Sequence, residues 1–87
     1  MTEQGHNGWT NYETWAVHLW LTNEEPSYRY WRERAVRCSG PGDLSVELRD
    51  EVRDAAPDLG PSMYADMLGA ALDRVNWYEI AEALLEE

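Results

Sequence analysis

The chain has no Phe and no Lys, and its 87 residues hold one Cys and four Pro. A single cysteine, Cys38, excludes an intramolecular disulfide and a thiolate cluster for a metal. A reducing cytoplasm is the compartment that suits such usage. Without Lys, the positive charge comes from seven Arg, against 17 acidic residues. A phosphate-binding surface needs clustered cations, so no direct binding to nucleic acid or to an anionic membrane is expected. No apolar run approaches the roughly 18 residues of a membrane-spanning helix. The opening MTEQGHNG lacks the apolar core of a secretory signal. A soluble, cytoplasmic protein is expected. Catalytic equipment is scarce too: there is no Gly-rich phosphate loop, no metal-ligand set and no nucleophile beside a base. We therefore expect no enzyme, no cofactor, no metal and no small-molecule substrate.

What is present is acid and aromatic ring. The net charge is −10, with five Trp and five Tyr. A chain of this length makes one domain, and large rings let a small core bury enough area to fold. The charge is uneven. Residues 1–38 hold five acids and four Arg; residues 39–87 hold twelve acids and three Arg. An acidic field of this kind speeds encounter with a positive surface, so the expected partner is a cationic protein or nucleoprotein complex.

The acid is patterned between Asp43 and Asp58. Leu44, Leu48, Val52 and Ala55 fall at helical spacing and form an apolar stripe. Asp43, Glu47, Asp50 and Asp54 form a second stripe, with Glu51 and Asp58 beside it. Steps of three and four residues separate charges by roughly 4.5–6 Å along a helix axis. That is the scale of phosphates along a nucleic-acid strand, about 3.4 Å of rise apart. A solvated helix face has the same pattern, and Arg49 and Arg53 are placed to pair with Asp50 or Asp54.

The remaining segments read as helices. Residues 1–8 form a flexible tail, and residues 9–87 a single helical domain. The first helix is expected to begin near Thr10 or Asn11, with Thr10 and Glu13 spaced as a capping box, and its Tyr12, Trp15, Ala16, Leu19 and Trp20 are expected to supply the core. Pro26 opens a second helix, which buries Tyr28, Trp31, Ala35 and Cys38. Its Arg29, Arg32, Arg34 and Arg37 are expected to face the acidic helices or, equally, to stack on aromatic rings, since Tyr30 and Trp31 lie between Arg29 and Arg32. Asp43 caps the third helix. A fourth runs from Pro61 to Arg74 with Tyr64, Met67, Leu68, Ala71 and Leu72 on one face. Asn76 and Glu79 form a capping box for the last, with Val75 and Ile80 as a hydrophobic staple. Glu79, Glu82, Glu86 and Glu87 point away from its apolar face, the last two at the unfavourable negative end. The expected class is an all-α bundle of four or five short helices. Its core is Trp15, Leu19, Trp31, Leu48, Val52, Leu68, Leu72, Ile80 and Leu84. The alternative is α+β, with Trp15–Leu21 as a strand.

Two motifs carry a resemblance: Gly8-Trp9-Thr10-Asn11-Tyr12-Glu13-Thr14-Trp15 and Val75-Asn76-Trp77-Tyr78-Glu79-Ile80-Ala81. Together they resemble a family of small phage and mobile-element proteins, mostly of unassigned function. The resemblance implies a genetic context and no catalytic residue. Small acidic proteins in that context are similar to anti-restriction and anti-CRISPR inhibitors, several of which imitate DNA. The expected function is thus a phage-type inhibitor of a bacterial defence complex. A CRISPR surveillance complex is the preferred target and a restriction enzyme the next. The expected contact residues are Asp43, Glu47, Asp50, Glu51, Asp54, Asp58, Glu79, Glu82 and Glu86. The alternative is a small non-enzymatic adaptor that binds a protein partner through its Trp/Tyr surface.

Overall fold

Each helix starts where a backbone amide finds an acceptor or a proline removes the need for one. In a computed structural model that describes residues 6–87, these are α1 (Tyr12–Asn23), α2 (Glu25–Arg37), α3 (Pro41–Ala55), α4 (Met63–Arg74) and α5 (Trp77–Glu86). The protein is all-α. The only extended pairing among the described residues is an isolated bridge between His6 and Trp9, so the α+β alternative is not realised.

The caps differ from expectation at three helices. Asn11, not Thr10, caps α1, its side-chain oxygen accepting from the Thr14 amide at 2.9 Å. Glu13 turns instead to Arg74, 3.3 Å away. Gly40, not Asp43, is the cap of α3, and Pro41 occupies the first turn, where its missing amide costs nothing. Asp43 lies inside that turn and accepts from the Ser39 amide at 3.4 Å. Ser62 caps α4 by accepting from Ala65 at 3.1 Å, which moves the helix start past Pro61. Asn76 caps α5 as expected, accepting from Glu79 at 3.1 Å.

The first five residues of the expected tail lie outside the described residues. His6 to Trp9 form a closed turn, with His6 and Trp9 exchanging both backbone hydrogen bonds at 2.7 and 2.9 Å. Asn7 and Gly8 hold φ of 50° and 89°. An Asn-Gly pair suits such a turn because both central residues need positive φ.

The buried core comprises Trp31 and Ala35 of α2, Leu44 and Leu48 of α3, Val75 between α4 and α5, and Ile80, Ala81 and Leu84 of α5. Of the expected core, Trp31, Leu48, Ile80 and Leu84 are there. Val52, Leu68 and Leu72 are only partly covered, and no residue of α4 is buried. The molecule spans 38 × 36 × 23 Å. Its short dimension is about two helix diameters of 10–12 Å. α5 packs on α3, α2 and α1, and α1 packs on α2 and α4 as well.

That geometry reverses the expectation for α1. Its inward side is Thr14, fully buried, with Val17 and Leu21 packed on the core. Tyr12, Leu19 and Trp20 of the expected core stripe are exposed, and Trp15 is partly so. α1 is apolar nearly all round, so periodicity alone gives it no preferred rotation. The hydroxyl of Thr14 sets the rotation, because it meets polar partners only on the inner side.

Candidate functional site

The predicted acidic row is divided by the fold. Glu47 and Glu51 lie at the edge where α3 meets α2, and Arg34 reaches them. Its Nη2 stands 2.6 Å from Glu47 and 3.5 Å from Glu51. The Tyr30 hydroxyl donates to both oxygens of Glu51 at 2.8 Å, and the Arg34 guanidinium lies 5.5 Å from the Tyr30 ring centroid. These contacts shift the Tyr30 phenol and the Arg34 guanidinium. Tyr30 titrates above its ordinary value, first because its hydroxyl donates to Glu51 and then because of burial. Arg34 is raised by its hydrogen bond to Glu47. As expected, this Arg balances acid within the fold.

Asp43, Asp50, Asp54 and Asp58 are exposed. Asp50 pairs with its neighbour Arg49 at 3.2 Å, and Asp58 accepts from the Gly60 amide at 3.0 Å. Arg53 takes neither expected acid but Asp73 of α4, at 2.5 Å. On α5, Glu82 and Glu86 are exposed on the side opposite Ile80, Ala81 and Leu84. Since α5 packs on α3 through its buried side, the two outer acidic sets face away from each other. The sites therefore form two acidic flanks, not one row. The α5 C-terminus has support that sequence did not suggest. Arg32 donates to the Leu84 carbonyl, and His18 Nε2 lies 3.1 Å from Glu87. The Arg32 guanidinium, a cation at the last turn, offsets the negative helix end.

Glu79 belongs to a different structure. Its carboxylate accepts from the Thr10 amide at 3.2 Å. The expected reciprocal bond of the capping box is not made; the Asn76 amide donates to the Thr14 hydroxyl at 2.9 Å. That hydroxyl donates in turn to Asn11 Oδ1 at 2.6 Å, and Asn11 Nδ2 donates to the Arg74 carbonyl at 2.8 Å. Thr10, Asn11 and Thr14 thus clasp the α4–α5 junction at Arg74, Asn76 and Glu79. The two motifs that carried the family resemblance are the halves of this clasp. Sequence shows the cap residues but cannot pair segments 62–69 positions apart.

The second candidate surface is the outer side of α1. Trp20 is 68 % exposed and Tyr12 57 %. Tyr12 and Trp15 have ring centroids 5.5 Å apart, and His6 stands within 5.2 Å of both. Trp9 turns the other way, 4.5 Å from the His18 ring. The stripe of Tyr12, Trp15, Ala16, Leu19 and Trp20 contains no charge, and Glu13 at its flank is paired with Arg74. A cleft of about 320 Å³ lies between residues 56–60 and α4, lined mainly by apolar side chains, with Arg53 and Asp58 among its lining. It brings no nucleophile beside a base. Among the described residues no helix is long and apolar enough to cross a membrane.

The model of a family of unknown function matches residues 2–86 of the chain. No curated protein and no solved structure matches it.

Proposed function

The chain belongs to DUF7249, a family of unknown function, and from its charge distribution we propose that it is an acidic, non-enzymatic inhibitor of a cationic protein complex. The observation that supports this reading is segregation. The outer α1 stripe is uncharged, whereas Asp43, Asp50, Asp54 and Asp58 on one flank and Glu82 and Glu86 on the other face solvent. Such flanks suit a groove that normally holds a nucleic-acid backbone. The proposed target is a bacterial defence complex, first a CRISPR surveillance complex and then a restriction enzyme, in a phage setting. Glu47 and Glu51 contribute less, because Arg34 neutralises part of their charge.

The test is competition with target DNA for a purified surveillance complex. Inhibition should weaken steeply as salt rises, since exposed charges are screened within about 8 Å at physiological ionic strength. Replacing Asp43, Asp50, Asp54 and Asp58 by Asn should slow association and leave the helical signal intact. Full inhibition by that variant would remove this flank from the reading and leave Glu82 and Glu86.

A second reading, an adaptor that binds a protein through the α1 stripe, is favoured by the exposure of Trp20 and Tyr12. It predicts weak salt dependence and a large affinity loss for Trp20→Ala.

A further inference from the structure

We infer that residues 56–72 are a strap that unfolds and refolds as one unit while the other helices stay folded. Burial points there first. No residue between Leu48 and Val75 is buried, so the chain leaves the core at one and returns to it at the other. That excursion contains all of α4. The inner side of α4 is Ala65, Leu68, Gly69, Ala71 and Leu72, each only partly covered, and α1 is the helix it chiefly packs on. A helix of 12 residues is marginal in water by itself, because isolated helices shorter than about 12–15 residues do not repay their nucleation. Gly69 in its middle weakens it further. α4 therefore depends on packing, and its packing is thin.

The hydrogen bonds point the same way. The ties from α4 to other elements sit on Asp73 and Arg74, at its C-terminal end. Asp73 meets Arg53 at 2.5 Å, and Arg74 meets Glu13 at 3.3 Å and Asn11 at 2.8 Å. Val75 and Asn76 then fasten the chain to the core and to Thr14. Between residues 56 and 72 the side-chain hydrogen bonds stay inside the segment: Asp58 with Gly60, and Ser62 with Leu59 and Ala65. The cleft of about 320 Å³ lies between the two runs of this segment, where a close-packed interior would have contacts. The strap is fixed at both ends and loose between them. It carries Asp58, so the α3 flank has Asp43, Asp50 and Asp54 on a helix and one acid that moves.

This device goes beyond the inhibitor reading, and failure of the competition assay would leave it standing. Native-state hydrogen exchange of the whole chain, read by NMR at increasing urea, tests it. Amides of α4 should exchange faster than those around Leu48 and from Ile80 to Leu84, and with a shallower dependence on urea. The core amides should show the steep slope of global unfolding, because the slope follows the surface exposed. Ile80→Val should speed exchange of the α5 amides about two- to ten-fold and leave the α4 amides unchanged, since α5 stays folded when the strap opens. Gly69→Ala should slow the α4 amides about five-fold. The added methyl meets no atom within 4 Å. Equal protection and equal urea slope in α4 and α5 would overturn the inference. So would α4 amides that follow Ile80→Val, or that ignore Gly69→Ala.

Discussion

Replacing Thr14 by Val removes one hydroxyl from the centre of the clasp and keeps the side chain's volume. Thr14 is fully buried. Its oxygen accepts from the Asn76 amide at 2.9 Å and donates to Asn11 Oδ1 at 2.6 Å. Leaving a buried donor without a partner costs about 1–3 kcal/mol, and a lost neutral hydrogen bond about 1 kcal/mol. Asn76 itself lies toward the surface, where water can recover part of the first term. The expected loss is therefore about 2 kcal/mol. For a domain of this size each kcal/mol moves the midpoint by about 4–8 °C, so Tm should fall by about 8–16 °C. Thr14→Ser keeps both hydrogen bonds and loses one methyl, worth about 1 kcal/mol. Urea denaturation followed by Trp fluorescence measures both variants, with equal m-values showing that the unfolded reference is unchanged. A cycle with Asn11→Ala should give a coupling above about 0.5 kcal/mol. If Thr14→Val proves as stable as Thr14→Ser or better, the hydroxyl does not fix α1 and the account of its rotation fails.

Asn76→Ala should cost about 1 kcal/mol through the lost cap on α5, and an unmoved denaturation midpoint would count against that cap. Trp31→Ala should cost about 3–5 kcal/mol because Trp31 is buried, whereas Trp20→Ala should stay within about 0.5 kcal/mol. Similar losses at both would mean that α1 is rotated the other way. Tyr30 titrates above its unfolded value of 10.0, first because its hydroxyl donates a hydrogen bond to the Glu51 carboxylate. The stability from that bond is fully present below the unfolded pKa and is lost as pH rises through the folded one. In Glu51→Gln, ultraviolet titration should show one tyrosine ionising at lower pH than in the parent; coincident curves would show that the bond does not hold in solution.

The acidic character and the five helices were legible in the chain. Acid against Arg is a matter of counting, and Gly40, Pro41, Pro57 and Pro61 interrupt helical patterns that local spacing reveals. Leu48, Ile80 and Leu84 could be placed in the core because α3 and α5 each have one distinctly apolar side. α1 has no such side, and the brighter aromatic stripe pointed the wrong way. Its orientation depends on a hydroxyl meeting an amide 62 residues later. The partition of the acids was equally hidden. Glu47 and Glu51 share a helix with Asp50 and Asp54, yet only the first pair meets Arg34. Local sequence determines which side of a helix is apolar or acidic, because that depends on spacing of three and four residues. Which side is covered, and which charge is cancelled, is decided when distant segments satisfy each other's buried polar groups.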